Sequence, residues 1–364
     1  MEERLNLGKE RSATTPRAEQ AEWKPPADRP DPVDLLNARD ALGDPDLIPT
    51  RHARLLESPF AFLGGDGATM AWDLSKTATT GIRAQLAGDA HLVNFGACRT
   101  PEQNLVFDIR DFDETLPGPF EWDLKRLAAS IVVAGRTSGF SDAESWNAAR
   151  AAVTSYRQRM ALYALSHNLE LYHTRVDVDD LLDIVSGGGQ TGVRTDPKAS
   201  GDDDDVLMLD AMSTTESGQV QITEDLSAIT RLDNWTVLGA ERGAQLFRTY
   251  YRTLLPDRRH LLQRYTLVDA ARKVGGSRSG ATRCFILLFM GATDDDLLFL
   301  QVKQATESVL EPYLGASGYQ HHGERVVAGG CRTLHGKAGR RCVRAGPCVT
   351  VALCSRSYAL HVKF

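Results

Sequence analysis

Residues 88–94 read Gly-Asp-Ala-His-Leu-Val-Asn, which crowds an aspartate, a histidine and an asparagine into one loop after an apolar run. Asp89 can orient a hydroxyl group or accept its proton, and Asn94, five positions on, can offer its amide oxygen to a hard divalent cation. Downstream, the stretch LVFDIRDFDE brings Asp108, Asp111, Asp113 and Glu114 close together. Asn94 with Asp108 makes the kind of oxygen set that Mg2+ takes beside phosphate, and Asp111 is a candidate second carboxylate. Plainer roles stand beside these. Asp89 can cap a turn, His91 can pack and hydrogen-bond its own loop, and Asp113 and Glu114 can simply face solvent.

The elements that would position these groups are short. Ile82–Leu86 reads as a strand ending near Gly88, CRTPEQN as a turn region, and Leu105–Ile109 as a second strand. One strand-loop-strand unit would then hold Asp89, Asn94 and Asp108 near each other. Pro119 near the start, apolar positions at helical spacing and Gly139 past the end predict a helix over Glu121–Arg136, with Asp123 stabilising its N-terminal end. Further helical stretches are expected over 141–166 and 169–184, and helical spacing returns between Leu238 and Tyr265. After that comes a loop with Gly275, Gly276 and Gly280, whose lack of side chains lets backbone approach phosphate oxygens. A strand Arg283–Met290, a turn over Asp294–Asp296, a strand Leu297–Lys303 and a helix carrying Glu307 complete the pattern. Helices dominate the middle and strands mark both ends, so the expected class is α+β.

Composition narrows the setting. The chain has 364 residues, 42% hydrophobic and 25% charged, as in ordinary globular proteins. A formal net charge of −6 speaks against a nucleic-acid partner, which needs a basic surface. No apolar run approaches the roughly 20 residues that span a bilayer, and the polar start lacks the apolar core of a signal peptide, so no membrane partner and a cytoplasmic location are expected. The organisation read from these shifts is a mobile leader over 1–33, a helix-rich lobe over 34–265, a strand-rich lobe over 266–330 and an atypical tail over 331–364. That tail holds seven Lys or Arg, no Asp or Glu, and four of the six cysteines. Its cysteine spacings lack the close pairs of a zinc site, and cytoplasmic thiols stay reduced. The run Asp202–Asp205 lacks the ligand spacing of a calcium loop and reads as solvated.

Gly88–Asn94 resembles the H-G-D-x-H-x-x-N catalytic loop of the aminoglycoside phosphotransferase and choline kinase branch of the protein-kinase-like superfamily. VFDIRD, Val106–Asp111, resembles that branch's metal strand, and GPFEWDLKRLA resembles the stretch that follows it there. LFLQVK, ending on Lys303, resembles the strand whose lysine contacts nucleotide phosphates, with Glu307 as its ion-pair partner. From about Leu47 to about Val327 the chain also resembles the bacterial family termed domain of unknown function 2252, through SPFAFL, GDAHLVNFG, VFDIRDFDETLPGPFEWDLKRLAAS and ERVVAG.

The resemblance implies a two-lobe kinase-like fold, circularly permuted because the nucleotide lobe follows the catalytic loop. It implies ATP and Mg2+ as cofactors and a small-molecule substrate. In this assignment Asp89 is catalytic, Asn94, Asp108 and Asp111 bind the metal, and Lys303, Gly275, Gly276, Gly280 and Glu307 bind the nucleotide. The sequence departs from the family pattern at Gly64, where an arginine is expected, and at Arg278 and Ala281, where glycines are. Its basic tail replaces an acidic, aromatic continuation and reads as an altered end that truncates the nucleotide lobe. Two alternatives follow: a nucleotide-binding pseudokinase, or a metal-dependent phosphohydrolase using Asp89, His91, Asp108 and Asp111. Oligomeric state is left open.

Overall fold

The computed structural model describes residues 2–99, 105–178, 181, 213–216, 219–224, 229–232, 247–248, 250–252, 254, 256–273, 281–335, 348–352 and 358–363. The N-terminal part is a series of short helices: α1 Glu2–Thr14, α2 Pro32–Asp40, α3 Ile48–Leu55, α4 Pro59–Gly65 and α5 Gly67–Ser75. Each of α2 to α5 has a proline in its first turn or an acid at its N-cap, the residues that tolerate or satisfy the unpaired N–H groups there. Asp66 caps α5 by accepting from Thr69 N at 3.2 Å.

Four short strands follow: β1 Arg83–Leu86, β2 Phe95–Arg99, β3 Leu105–Ile109 and β4 Leu116–Pro119. They form two antiparallel pairs, β1 with β4 and β2 with β3. The sequence shows two of these four, and it joins β1 to β3 as one unit. The pairing instead places residues 87–94 between the two ribbons, and a single 3-10 turn over Leu92–Asn94 closes that loop.

Helix α6, Glu121–Thr137, matches the expected span, with Glu121 and Asp123 at its positive end and Arg136 at its negative end. α7, Asp142–Tyr163, starts in a capping box in which Ser141 and Glu144 satisfy each other's backbone N–H groups. α8 covers Asn168–His173 at the start of the helix expected over 169–184, Val178 and Leu181 are again helical, and residues 179–180 and 182–184 lie outside the described residues. Between them Thr174 turns extended, the Val176 carbonyl accepts from Phe107 N at 2.8 Å, and Asp177 bridges Val106, so residues 174–177 interrupt the helix and add to the β3 edge.

The C-terminal part is an antiparallel sheet. After β5 Ser213–Glu216, β6 Gln219–Ile222, β7 Ile229–Arg231 and α9 Pro256–Leu262 come β8 Thr266–Lys273, β9 Cys284–Met290 and β10 Leu297–Gln304. The chain ends with α10 Glu311–Leu314, α11 His322–His335, β11 Cys348–Ala352 and β12 Tyr358–Lys363. The six-stranded order is β11-β12-β10-β9-β8-β7. Strand β9, CFILLFM, is apolar on both faces because both are covered. Phe285, Leu287 and Phe289 join Tyr250, Leu254 and Leu300, while Ile286 and Leu288 join Ile222, Ala271 and Phe299. The fold is thus mixed α+β, as expected.

Both terminal segments carry regular elements. The leader carries α1, and Arg29 forms a two-point ion pair with Asp73 at 2.7 and 2.8 Å. The basic tail supplies β11 and β12, and β12 pairs along β10 with Lys303 opposite Ala359. Among the described residues no helix is long and apolar enough to cross a membrane.

Candidate functional site

The loop carrying Asp89 is pinned from three sides. Gly88 has φ +88°, a conformation that favours glycine, and a Cβ there would overlap the Glu114 carbonyl. The Asp123 carboxylate accepts from Ala87 N at 2.7 Å and Gly88 N at 3.0 Å. Asp123 therefore holds the loop directly and does more than stabilise its own helix. Burial pushes its carboxyl up to about 6, against the pull of those two N–H groups and with the charge of Asp89 adding to the rise. Below the loop, Ala87, Ala90, Phe112, Ala305 and Val326 form an apolar floor with Phe95 and Ile109.

Asp89 faces a buried guanidinium. Arg126, on the second turn of α6, donates to Asp89 Oδ1 from Nε at 2.9 Å and to the Leu63 carbonyl from Nη2 at 2.5 Å. The second carboxylate oxygen of Asp89 lies 3.6 Å from His91 Nε2, and His91 is fully buried. That burial agrees with His91 packing inside its loop. Asn94 donates from Nδ2 to the Asp89 carbonyl at 2.6 Å, which leaves its Oδ1 without a partner among the described residues.

The opposite wall comes from the end of β10. Lys303 Nζ lies 3.0 Å from Asp111 Oδ2 and 3.4 Å from Asp113 Oδ2. Burial works to lower its ammonium's pKa, but the charges of Asp111 and Asp113 outweigh this and hold it well above the ordinary lysine range. Asp111 Oδ1 accepts from Asp113 N at 3.1 Å, which turns both carboxylates toward the lysine. Glu114 accepts from Arg39 Nη2 at 3.1 Å and from Val309 N at 2.7 Å, and Arg39 also reaches Thr306 Oγ1 at 3.0 Å and the Glu307 carbonyl at 2.7 Å. Asp113 and Glu114 are thus paired acids, not solvated ones.

These groups surround a small open cleft lined by Asp89, Asn94, Asp111 and Asp113 along with Arg39, Glu114, Thr282 and residues 304–306. Beneath it the buried Arg325 of α11 donates to the carbonyls of Asp113, Thr115 and Thr306 at 2.8 to 2.9 Å, joining the acidic turn to the end of β10.

Among the expected site residues Asp89, Asn94 and Asp111 line the cleft, and Lys303 is tied to it through Asp111 without lining it. Asp108 pairs with Gly96 across the β2–β3 ribbon, its Oδ1 accepts from Ile109 N at 2.8 Å, and it does not line the cleft. Glu307 stands apart from Lys303: its side chain is exposed in the loop after β10 and its carbonyl accepts from Arg39, while Lys303 pairs with Asp111 and Asp113. The helix expected there begins only at Glu311, because Pro312 has no N–H and fits the first turn alone, and Ser308 N is satisfied by the Glu311 carboxylate at 3.1 Å. Gly275, Gly276, Gly280, Arg278 and the run Asp202–Asp205 lie outside the described residues. No group of three or more His, Cys, Asp and Glu is set as a metal cage among the described residues.

Residues 42–341 match the family model described as "Uncharacterized protein conserved in bacteria (DUF2252)". The chain belongs to this family. The DUF2252 match takes in the Asp89 loop, the acidic turn, β10 and α11, so both walls of the cleft lie inside it. No curated protein and no solved structure matches the chain.

Proposed function

We propose that this protein is an ATP- and Mg2+-dependent phosphotransferase of kinase-like type acting on a small molecule, built on a circularly permuted two-lobe fold. The observation that carries the reading is the meeting of Lys303 with Asp111 and Asp113 at a cleft that Asp89 and Asn94 also line. Phosphoryl transfer needs little covalent chemistry from the protein. It needs an oriented acceptor, a hard cation and a positive group near the phosphates.

The donor set suits magnesium. Asn94 Oδ1 has no partner among the described residues, the Asp111 carboxylate lines the same cleft, and hard oxygens are what this ion takes. Asp108 is the weaker third candidate because it does not line the cleft. Bound there, magnesium would neutralise charge on the phosphates. Asp89, its rotamer fixed by Arg126, would orient the acceptor hydroxyl and receive its proton, and Lys303 would hold phosphate oxygens.

Incubating the protein with γ-labelled ATP, magnesium and a metabolite mixture is expected to transfer label to an acceptor, and Asp89→Asn is expected to abolish transfer while nucleotide binding persists. A thermal shift with nucleotide but no labelled product would favour a pseudokinase. Hydrolysis of phosphate esters without ATP would favour a phosphohydrolase.

A further inference from the structure

Asp44 stands outside the cleft, in the turn between α2 and α3, and is nearly buried at 8% exposure. Its Oδ2 accepts from Arg272 Nη2 at 2.9 Å and from Arg283 Nε at 2.8 Å, across separations of 228 and 239 positions. Arg272 is the penultimate residue of β8, and Arg283 directly precedes β9, so one carboxylate joins the facing ends of two neighbouring strands. The backbone adds a third tie, since Asp44 N donates to the Ala281 carbonyl at 2.5 Å. A Cβ on Gly43 would stand 2.5 Å from both Cβ and O of Ala281, so this approach requires glycine. Asp44 Oδ1 is used within its own turn, accepting from Asp46 N at 3.2 Å. Burial works to raise the Asp44 carboxyl, but the Arg283 hydrogen bond, the Asp46 N–H and the two guanidinium charges hold it below the usual range. Between Ala281 and Arg283 lies Thr282, which lines the cleft with Asp89 and Asn94.

We propose that Asp44 is a positioning residue for the β-sheet wall of the cleft, fixing the Ala281–Arg283 segment, and Thr282 with it, relative to Asp89. The proposal rests on the phosphotransferase reading and adds a residue to it that touches no reacting group. Removing the charge of Asp44 loosens that wall and weakens nucleotide binding, while the transfer step is left nearly intact.

The test uses the full chain as wild type, Asp44→Asn and Asp44→Glu. Amide hydrogen exchange without nucleotide is expected to rise on the order of tenfold at residues 281–285 in Asp44→Asn, with partial restoration by Asp44→Glu. Unchanged exchange overturns the clamp. The KM for ATP is expected to rise on the order of tenfold with kcat within about twofold. An unchanged KM in a variant whose exchange has risen, or a fall in kcat alone, overturns the positioning role. A wild type that binds no nucleotide while the exchange difference persists overturns the phosphotransferase reading and supports the clamp. Arg283→Gln leaves the Arg272 tie in place and carries the same measurements, with smaller shifts expected, if Asp44→Asn does not fold.

Discussion

Lys303 and Asp111 stand 192 positions apart in the chain, and the ammonium of one lies 3.0 Å from the carboxylate of the other. Neither residue reaches the other by local geometry. The acidic turn is held to β10 by Arg325 below and by Arg39 at the rim, through carbonyls and carboxylates on both segments. The contact is therefore the product of packing between the helical part and the sheet, and it places one cation against two acids at the cleft.

Lys303→Met leaves Asp111 and Asp113 facing each other without their shared cation. Two like charges left without their shared cation repel, so stability at neutral pH is expected to fall by about 1 to 2 kcal/mol, discounted for the partial exposure of all three groups. The raised pKa of Lys303 fixes the sign of the pH effect. The pair's contribution is fully present below the ordinary lysine value and is lost only as pH rises above it. Denaturant unfolding followed from pH 7 up to about pH 11 checks this: the wild type's advantage over the variant should be constant at first and begin to shrink only at the top of that range. ATP-dependent transfer is expected to drop by at least about a hundredfold.

Arg126→Leu removes the guanidinium that fixes Asp89 Oδ1 and leaves the Leu63 carbonyl without that donor. A partly buried carbonyl and a carboxylate stripped of a buried partner cost about 2 to 4 kcal/mol together. Arg126→Lys keeps a charge but loses the fork that reaches both acceptors at once, so it should recover part of the stability and little of the geometry. Steady-state kinetics should show kcat falling more than the KM for ATP changes in the lysine variant. Equal losses in both parameters would place Arg126 with nucleotide binding instead.

Asp123 titrates with an unusual sign for a carboxylate that accepts two N–H groups. Its folded value of about 6 lies above the unfolded value of 3.8, so between those limits the native state holds a proton that the unfolded chain has released. Its contribution to stability therefore falls as pH rises from about 4 to about 6 and is flat above that, a change on the order of 3 kcal/mol. Asp123→Asn abolishes this slope and imposes a constant offset, because its amide oxygen can accept from Ala87 N or Gly88 N more easily than from both. The stability difference between wild type and variant, followed by denaturant unfolding from pH 4 to pH 8, is expected to shift in favour of the variant and level off above about pH 7.

Much of the cleft was legible where the signal is local. Asp89 and Asn94 share one turn, so their spacing alone brings them together, and β3, β9, β10 and α6 follow runs whose period or apolar content is plain. The strands β2 and β4 were not legible, since β2 holds a glycine and ends inside the run that reads as a turn, and β4 carries two prolines and a glycine that read as a turn. Arg39, Arg126 and Arg325 escaped because a charged residue on a helix normally signals a solvated face. Only the tertiary structure shows that two of them are buried and aimed at carbonyls and carboxylates. The displaced helix after Lys303 did have a signal, because Ser308 followed three residues later by Glu311, with Pro312 next, marks a helix start beyond Glu307.

Gly88→Ala tests whether the loop's backbone, and not only its side chains, sets the site. At φ +88° an alanine is strained, and its Cβ would meet backbone at Glu114, which cannot swing aside as a flexible side chain would. The carbonyl of Glu114 is itself held by Ser308 Oγ at 2.8 Å, so relief must come from displacing the Asp89 loop. A loss of about 2 to 4 kcal/mol is expected from strain and overlap together. Displacement would also break the reach from Arg126 to Asp89, so transfer activity should fall far more steeply than the folded fraction. A variant that unfolds no earlier than wild type in a thermal melt, with activity retained, would show that the loop accommodates a side chain and that Glu114 does not brace it.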